Sequence, residues 1–459
     1  MRILLALSLF MGISFSSFSE HLTGGYITAK HIGNFRYILE LHLFRDMDGV
    51  GGPTNALLRV NGDPNLTSIP LDYMGSSLNE SDGFKIETLK YESDPVLLKV
   101  NKQYSFYWNT CCLNQDIINL QNHGSQDVTI VSSLFTGANG FSTAEISQNP
   151  VFTHALDTTL GYNIGAFTTT GDSIKYSFEK PFHSPSQGSL VQMNSYSFLE
   201  NDFDERIQVH PNLGQVQFNP TTAGKFLLSN QIGIYHNGNR VSEVNLTYTI
   251  LFTPMANPSG LKIKNFSSSQ NSFPPFFTEF QIGDTIEYSF QIETKGNNVE
   301  IALGGAVAYL GPQTLQVDYS PNGVSSLKNV TLTWIPTSNV VEGNPNNLIV
   351  RVKNDLFAFD QIIFTRRVYG LGNEELPNDL NQINIYPNPS NGALYFETER
   401  HKVHQVQVYN LNGQLVDKIN VLDQNGIYNI NLQLDSAPYL LQFITDHGIL
   451  TRKIMIQAF

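Results

Sequence analysis

At 459 residues the chain is too long for one compact core, and ordinary domain sizes predict several units in tandem. Only 15% of its residues are charged and 11% are aromatic, with Asn, Gly, Ser and Thr breaking short alternating runs, a composition that suits strands and tight turns rather than long helices. A net charge of −13, from 27 basic against 40 acidic residues, repels phosphate backbones and anionic membranes and argues against a nucleic-acid partner. In chain order, Met1-Arg2 and the apolar run 3–18, followed by Ser19, predict a secretory signal peptide, residues 1–19. That run is shorter than the roughly 20 apolar residues that span a bilayer. The longest later apolar stretch, 301–310, reads as a buried strand and turn, so the mature chain is expected to have no transmembrane segment. From Phe35 the apolar residues Tyr37, Leu39, Leu41 and Leu43 alternate with Arg36, Glu40 and His42, the period of a half-buried strand. Further strands at 56–60, 84–91, 103–108 and 127–132 complete an expected N-terminal β-domain, residues 20–148.

The segment Gly171-Asp172-Ser173-Ile174-Lys175-Tyr176-Ser177-Phe178 returns as Gly283-Asp284-Thr285-Ile286-Glu287-Tyr288-Ser289-Phe290. Each copy is followed by a related element, Phe218-Asn219-Pro220-Thr221 in the first and Trp334-Ile335-Pro336-Thr337 in the second. The repeat predicts two tandem Ig/cadherin-like β-sandwiches of shared topology, 149–253 and 259–369, hinged at 254–258. A linker at 370–382 precedes a small β-sandwich at 383–459, in which Asn412-Gly413 signals a tight hairpin. The fold class expected is all-β.

The last segment carries Ile385-Tyr386-Pro387-Asn388-Pro389-Ser390-Asn391-Gly392, then 408–416 with Asn412 and Gly413, and then Tyr439-Leu440-Leu441 with Lys453-Ile454-Met455-Ile456. In these residues it resembles the type A C-terminal sorting domain of the type IX secretion system of Bacteroidota. It departs at Ala437-Pro438, where that family usually has a Gly. The sorting-signal residues it implies are Pro387, Asn388, Pro389, Gly392, Asn412, Gly413, Tyr439 and Lys453. It also implies delivery through the periplasm, recognition by the type IX machinery and its sortase-like peptidase, and attachment to surface lipopolysaccharide. Earlier in the chain stand His21-Leu22-Thr23-Gly24-Gly25-Tyr26-Ile27, the segments 37–46, 108–119 and 171–178, and Ile234-Tyr235-His236-Asn237-Gly238. In these the rest of the chain resembles secreted proteins of the same phylum linked with gliding motility or adhesion.

No hydrolase, nucleotide or metalloprotease motif occurs, so the chain reads as non-catalytic. Its expected role is adhesion, motility or surface structure, and the alternative is a carbohydrate-binding module or polysaccharide-degrading enzyme using Tyr104, Tyr107 and Trp108 as stacking platforms. Calcium is the cation that Asp46 with Asp48, or Asp202 with Asp204 and Glu205, would hold at an interdomain hinge. Thr168-Thr169-Thr170 stands where relatives often carry Asp, which weakens that case. His401 and His404 read as solvated surface. Asp172 and Asp284 read as turn carboxylates bonded to backbone N–H groups. Cys111 and Cys112 have no other thiol to pair with; they read as two buried thiols, with a vicinal or an intermolecular bridge as alternatives.

Overall fold

The computed structural model describes residues 22–49, 51–81, 84–110, 113, 116–121, 127–156, 160–170, 172–184, 189–196, 207–218, 220–254, 261–268, 276–294, 299–321, 327–338, 346–353, 358–367, 383–398, 403–410, 415–421, 427–445 and 448–457. It divides into two compact units, which part between Val368 and Tyr369. Cys111, Cys112, His401, Asn412, Gly413, Asp202, Asp204, Glu205 and the signal peptide lie outside the described residues.

The first unit is organised by the alternating strand read at Tyr37. Arg36–Asp46 buries Tyr37, Leu39, Leu41 and Leu43, and pairs antiparallel with Leu22–His31 on one side and Phe84–Glu92 on the other. The sheet runs on through Ser68–Ser81, Asn55–Asn61, Gln103–Thr110 and Val128–Phe135. Its two ends, Leu22–His31 and Val128–Phe135, both pair antiparallel with Asn239–Thr253. Eight strands therefore close on themselves, which removes the free edges an open sheet would expose. One apolar core, including Ile27, Leu39, Leu58, Phe106 and Ile130, is shared by the ring strands other than Asn239–Thr253.

The expected boundary at 148/149 does not hold, because the strand that closes the ring comes from beyond it. Asn239–Thr253 alternates Val244, Leu246, Tyr248 and Ile250 with Asn245, Thr247 and Thr249, which in sequence reads as one core face and one wet face. Both faces are buried. The apolar set joins Phe226, Leu228, Tyr162 and Tyr176 in a second core. The polar set is spent inside the protein: the Thr249 hydroxyl donates to the Thr23 carbonyl at 3.1 Å, and the Ser229 and Thr247 hydroxyls are 3.1 Å apart.

The repeat argument fails in the same region. Ser173–Phe178 sits at the end of its sheet and pairs with Gly224–His236, the strand after the Phe218-Asn219-Pro220-Thr221 element. Its counterpart Ile286–Thr294 lies inside a four-stranded sheet and pairs with Leu261–Ser268 and with Leu327–Trp334, the strand that ends at the Trp334-Ile335-Pro336-Thr337 element. What recurs is local: Ile174 and Tyr176 are buried, as are Ile286 and Tyr288, because the same alternation turns the same side chains inward.

From 261 to 367 the chain forms the two-sheet sandwich expected of the second copy. Leu261–Ser268, Ile286–Thr294, Leu327–Trp334 and Leu315–Pro321 make one sheet, and Phe276–Phe280, Ala358–Arg367, Asn347–Lys353 and Glu300–Gly304 the other. Tyr288, Trp334, Val350 and Ile363 meet between them. The apolar stretch at 301–310 is a strand followed by a six-residue helix, Gly305–Leu310, rather than a strand and turn. The second unit is a small sandwich of its own. Ile383–Tyr386, Ala393–Thr398 and Ile427–Asn431 face Leu415–Asn420, Val403–Asn410, Pro438–Thr445 and Gly448–Met455 across Phe396, Val408, Leu441 and Phe443. The chain is thus all-β, with tandem sheet layers and a small terminal β-sandwich.

One polar cluster on the ring carries a pH prediction. Lys90 Nζ donates to Glu40 Oε1 at 2.9 Å, His42 Nε2 lies 3.0 Å from Glu40 Oε2, and the His42 ring stacks on Tyr26 at 4.4 Å. Burial alone would raise the Glu40 carboxyl, but the bonds from His42 and Lys90 outweigh it and hold the group down at about 2, against an ordinary 4.5. A depressed carboxyl stabilises the folded chain above its unfolded value, and that stability is lost as pH falls through the folded one. Glu40→Gln is expected to cost about 2 kcal/mol at pH 7. The difference from wild type should shrink between pH 4.5 and 2, which urea titrations along that range will read; a difference constant with pH would refute it.

Candidate functional site: the clasp of the terminal sandwich

In the terminal unit, Pro387-Asn388-Pro389-Ser390-Asn391-Gly392 links the first strand, Ile383–Tyr386, to the second, Ala393–Thr398. Both prolines lack an N–H, so backbone donation from the first four of these residues falls to Asn388 and Ser390. The Asn388 amide works as a strand would: Nδ2 donates to the Lys453 carbonyl at 3.2 Å, and Oδ1 accepts from the Met455 N–H at 2.8 Å. Ser390 continues the ladder, its N–H donating to the Met455 carbonyl at 2.9 Å and its carbonyl accepting from Gln457 at 2.8 Å. The Ser390 hydroxyl, in a residue that is 1% exposed, accepts from the Gly392 N–H at 3.0 Å. Gly392 has φ +107°, and its carbonyl accepts from Leu432; an added Cβ would lie 2.3 Å from the Leu432 oxygen. The motif thus staples the opening of the domain to its last strand.

The other sorting residues divide by exposure. Tyr439 is buried in the core and pairs with Asn410 and Ile454, whereas Lys453 is exposed on the last strand. Pro387, Asn388 and Pro389 are exposed. The strands flanking 412–413 pair antiparallel. Sequence reasoning missed one feature of this corner. Tyr386 and Tyr395, opposite each other on adjacent strands, are 43% and 41% exposed, with ring centroids 6.1 Å apart and planes within 17°. The signal was the Tyr beside the proline motif and another Tyr two residues into the following strand.

The described cation candidates, Asp46 and Asp48, do not gather into a site. Asp46 is buried, sits 3.2 Å from Lys225 Nζ and accepts the Asp48 N–H at 3.1 Å, whereas Asp48 itself is exposed. Among the described residues no group of three or more His, Cys, Asp or Glu is arranged to hold a metal ion. His404 is exposed. At the junction where a hinge cation was expected, the contact is made by Arg351. Its Nε and Nη2 grip the Asp360 carboxylate at 2.8 and 3.0 Å, Nη1 donates to the Asn149 carbonyl, and Asp360 accepts from the Asn163 N–H at 2.6 Å. Of the turn carboxylates, Asp284 accepts from the Gln281 N–H at 2.7 Å as expected. Asp172 instead is buried and bonds His236 Nδ1 at 2.7 Å and the Thr170 hydroxyl, tying two motifs that lie far apart in sequence.

The sugar-stacking candidates Tyr104, Tyr107 and Trp108 are 1%, 3% and 8% exposed, Tyr104 and Trp108 turned into the ring core beside Phe106 and Tyr107 covered on the other face, so they offer no platform. An open groove of about 610 Å³ is lined by Asp116, Ile117, Ile118, Leu120, Gly224, Lys225 and Leu251. Among the described residues its one lining carboxylate is Asp116, where hydrolysis of a glycosidic bond takes a flanking pair.

Residues 384–457 match the secretion system C-terminal sorting domain family. No curated protein matches the chain. Among solved structures, a chimeric titin Z1Z2-Z1Z2 tandem functionalised with a GRGDS exogenous peptide from fibronectin is similar at 10% identity. That likeness covers 49% of this chain and 97% of that one at a TM-score of 0.17, too low to carry an argument. The clasp described above lies within the family match. The chain therefore ends in a type IX sorting domain, and it is exported to the cell surface or beyond.

Proposed function

We propose that the chain is a non-catalytic surface protein whose first unit serves adhesion, motility or surface structure once the terminal unit has routed it across the outer membrane. The observation that carries this reading is a sorting-family match coincident with a separately folded terminal sandwich. The reading includes the resemblance of 21–370 to secreted motility- and adhesion-linked proteins, removal of the signal peptide, and passage through the periplasm. It also includes recognition by the sortase-like peptidase and attachment to lipopolysaccharide. Support for a structural role comes from the first unit, in which eight strands close on themselves and Tyr104, Phe106 and Trp108 are spent on the core.

The test is a chain lacking residues 383–459. It is expected to accumulate in the periplasm with at least a tenfold loss of protease-accessible protein on intact cells, since a signal peptide alone delivers no further. Undiminished surface display would overturn the export reading.

A further inference from the structure

In the first unit, the 261–367 sandwich meets the ring through one strap of chain, residues 143–149. Thr143 fixes the strap to the ring: its N–H donates to the Ala29 carbonyl at 2.9 Å, and its hydroxyl accepts from the Ala29 N–H at 2.8 Å. Asn149 Nδ2 does the same at the other end, donating to the Thr88 hydroxyl at 3.0 Å. The sandwich grips between these points. The N–H of Gly305, first residue of the helix Gly305–Leu310, donates to the Ser147 hydroxyl at 2.7 Å, and Arg351 takes the Asn149 carbonyl. Tyr309, from the same helix, lays its ring 5.1 Å from that of Phe167, the residue paired with Glu145, and its hydroxyl donates to the Glu145 carboxylate. Glu145 thus sits on the ring side of the junction with a sandwich side chain closed over it.

The groups around Glu145 come from four elements. Lys30 and Tyr26 belong to Leu22–His31, Glu40 and His42 to Arg36–Asp46, Lys90 and Glu92 to Phe84–Glu92, and Tyr309 to the helix. Burial pushes the Glu145 carboxyl above its ordinary 4.5 despite Lys30, with Glu40 adding to the rise and Lys90 and the Tyr309 bond opposing it. Glu40, held at about 2, keeps its charge throughout the range in which Glu145 titrates. Swinging the sandwich away returns water to Glu145 and relieves the burial. A carboxyl that is raised only while the junction is shut favours the shut form fully below its ordinary value, and that preference is lost as pH rises through the raised one. We propose that Glu145 makes the junction acid-tightened: the sandwich is held firmly on the ring in mildly acidic surroundings and opens more often as they turn neutral. The device concerns the first unit alone and is independent of the export reading.

The experiment is amide hydrogen exchange, read by mass spectrometry on the purified full chain at about pH 7.5 and about pH 5, with exchange times scaled to the intrinsic rate at each pH. The amides that report are Gly305, bonded to Ser147, and Asn163, whose N–H donates to Asp360 of the sandwich. The ring strand Gln103–Thr110, away from the junction, is the internal reference. In wild type, protection at Gly305 and Asn163 is expected to rise about threefold or more from the higher pH to the lower, relative to the reference strand. Glu145→Gln should be as protected at the higher pH as wild type is at the lower, with no further rise. Tyr309→Phe should steepen the dependence, because it removes a donor that favours the charged carboxylate. If Glu145→Gln also loosens the reference strand, Tyr309→Phe decides alone. Protection in wild type that does not change with pH would overturn the proposal. A pH dependence that persists in a well-folded Glu145→Gln variant would place the switch elsewhere, His42 being the next group, and would overturn it too, as would a flat profile in Tyr309→Phe.

Discussion

Arg351→Met is expected to destabilise the first unit by about 3–5 kcal/mol, the cost of removing one partner from a buried ion pair. The Asp360 side chain is fully shielded from solvent and that of Arg351 is 8% exposed, so neither charge has water to fall back on. Without the guanidinium, the donors left to Asp360 among the described residues are uncharged, the Asn163 N–H at 2.6 Å and Gln148 Nε2 at 3.3 Å. The arginine holds more than its ion partner. It takes the Asn149 carbonyl and lies over the Tyr162 ring at 5.7 Å, so its loss also loosens the contact between the 261–367 sandwich and the segment 147–163. At about 2–4 °C per kcal/mol for a domain of this size, the midpoint should drop by roughly 10 °C, and a single transition should broaden or split. Arg351→Met with Asp360→Asn removes the stranded charge and should recover part of the loss. A midpoint within 2 °C of wild type, read by calorimetry, would show that the pair is replaceable by apolar contact.

The fold was legible where a strand's chemistry is local. Arg36–Asp46 announced itself because its partners bury one face and leave the other partly open. Asn239–Thr253 did not announce itself, for the converse reason: Asn245, Thr247 and Thr249 look like a solvent face, yet they are buried, and the Thr249 hydroxyl reaches Thr23, 226 residues earlier. The same distance hid Arg351, whose bonding partners Asn149 and Asn163 lie 202 and 188 residues away. The repeated Gly-Asp-[Ser/Thr]-Ile segment misled because a turn and one alternating strand can recur without fixing which neighbour the strand pairs with. In the terminal unit the motif was readable as a family pattern, but the reason for Asn388 was not, since its bonds reach 65 and 67 residues ahead. Asp172 looked like Asp284 for the same reason that the strands did, and only the fold brings His236 to it.

Gly24→Ala should be among the most damaging single substitutions in the ring, although it adds one carbon. Gly24 has φ +140°, outside the range L side chains ordinarily adopt, at the irregularity where Leu22–His31 changes register and meets the closing strand opposite Tyr248. A Cβ there would lie 2.0 Å from the Thr247 carbonyl oxygen and 2.7 Å from the Tyr248 Cα, backbone atoms that no rotamer change can move aside. The next residue faces the other way: a Cβ on Gly25 would sit 2.3 Å from the His42 carbonyl on the opposite neighbour. Two consecutive glycines thus let one strand lie close to both of its partners where the ring shuts, which explains physically the Thr23-Gly24-Gly25-Tyr26 motif. Backbone strain of about 1–3 kcal/mol and overpacking of similar size add to about 3–5 kcal/mol. That is a fall of roughly 10–15 °C in the midpoint. Gly33→Ala is the control, because Gly33 also has positive φ, +99°, but nothing within 4 Å of its added carbon, so only strain of about 1–2 kcal/mol remains. Thermal unfolding of the two variants separates strain from contact. If Gly24→Ala melts no lower than Gly33→Ala, the ring does not depend on that close approach.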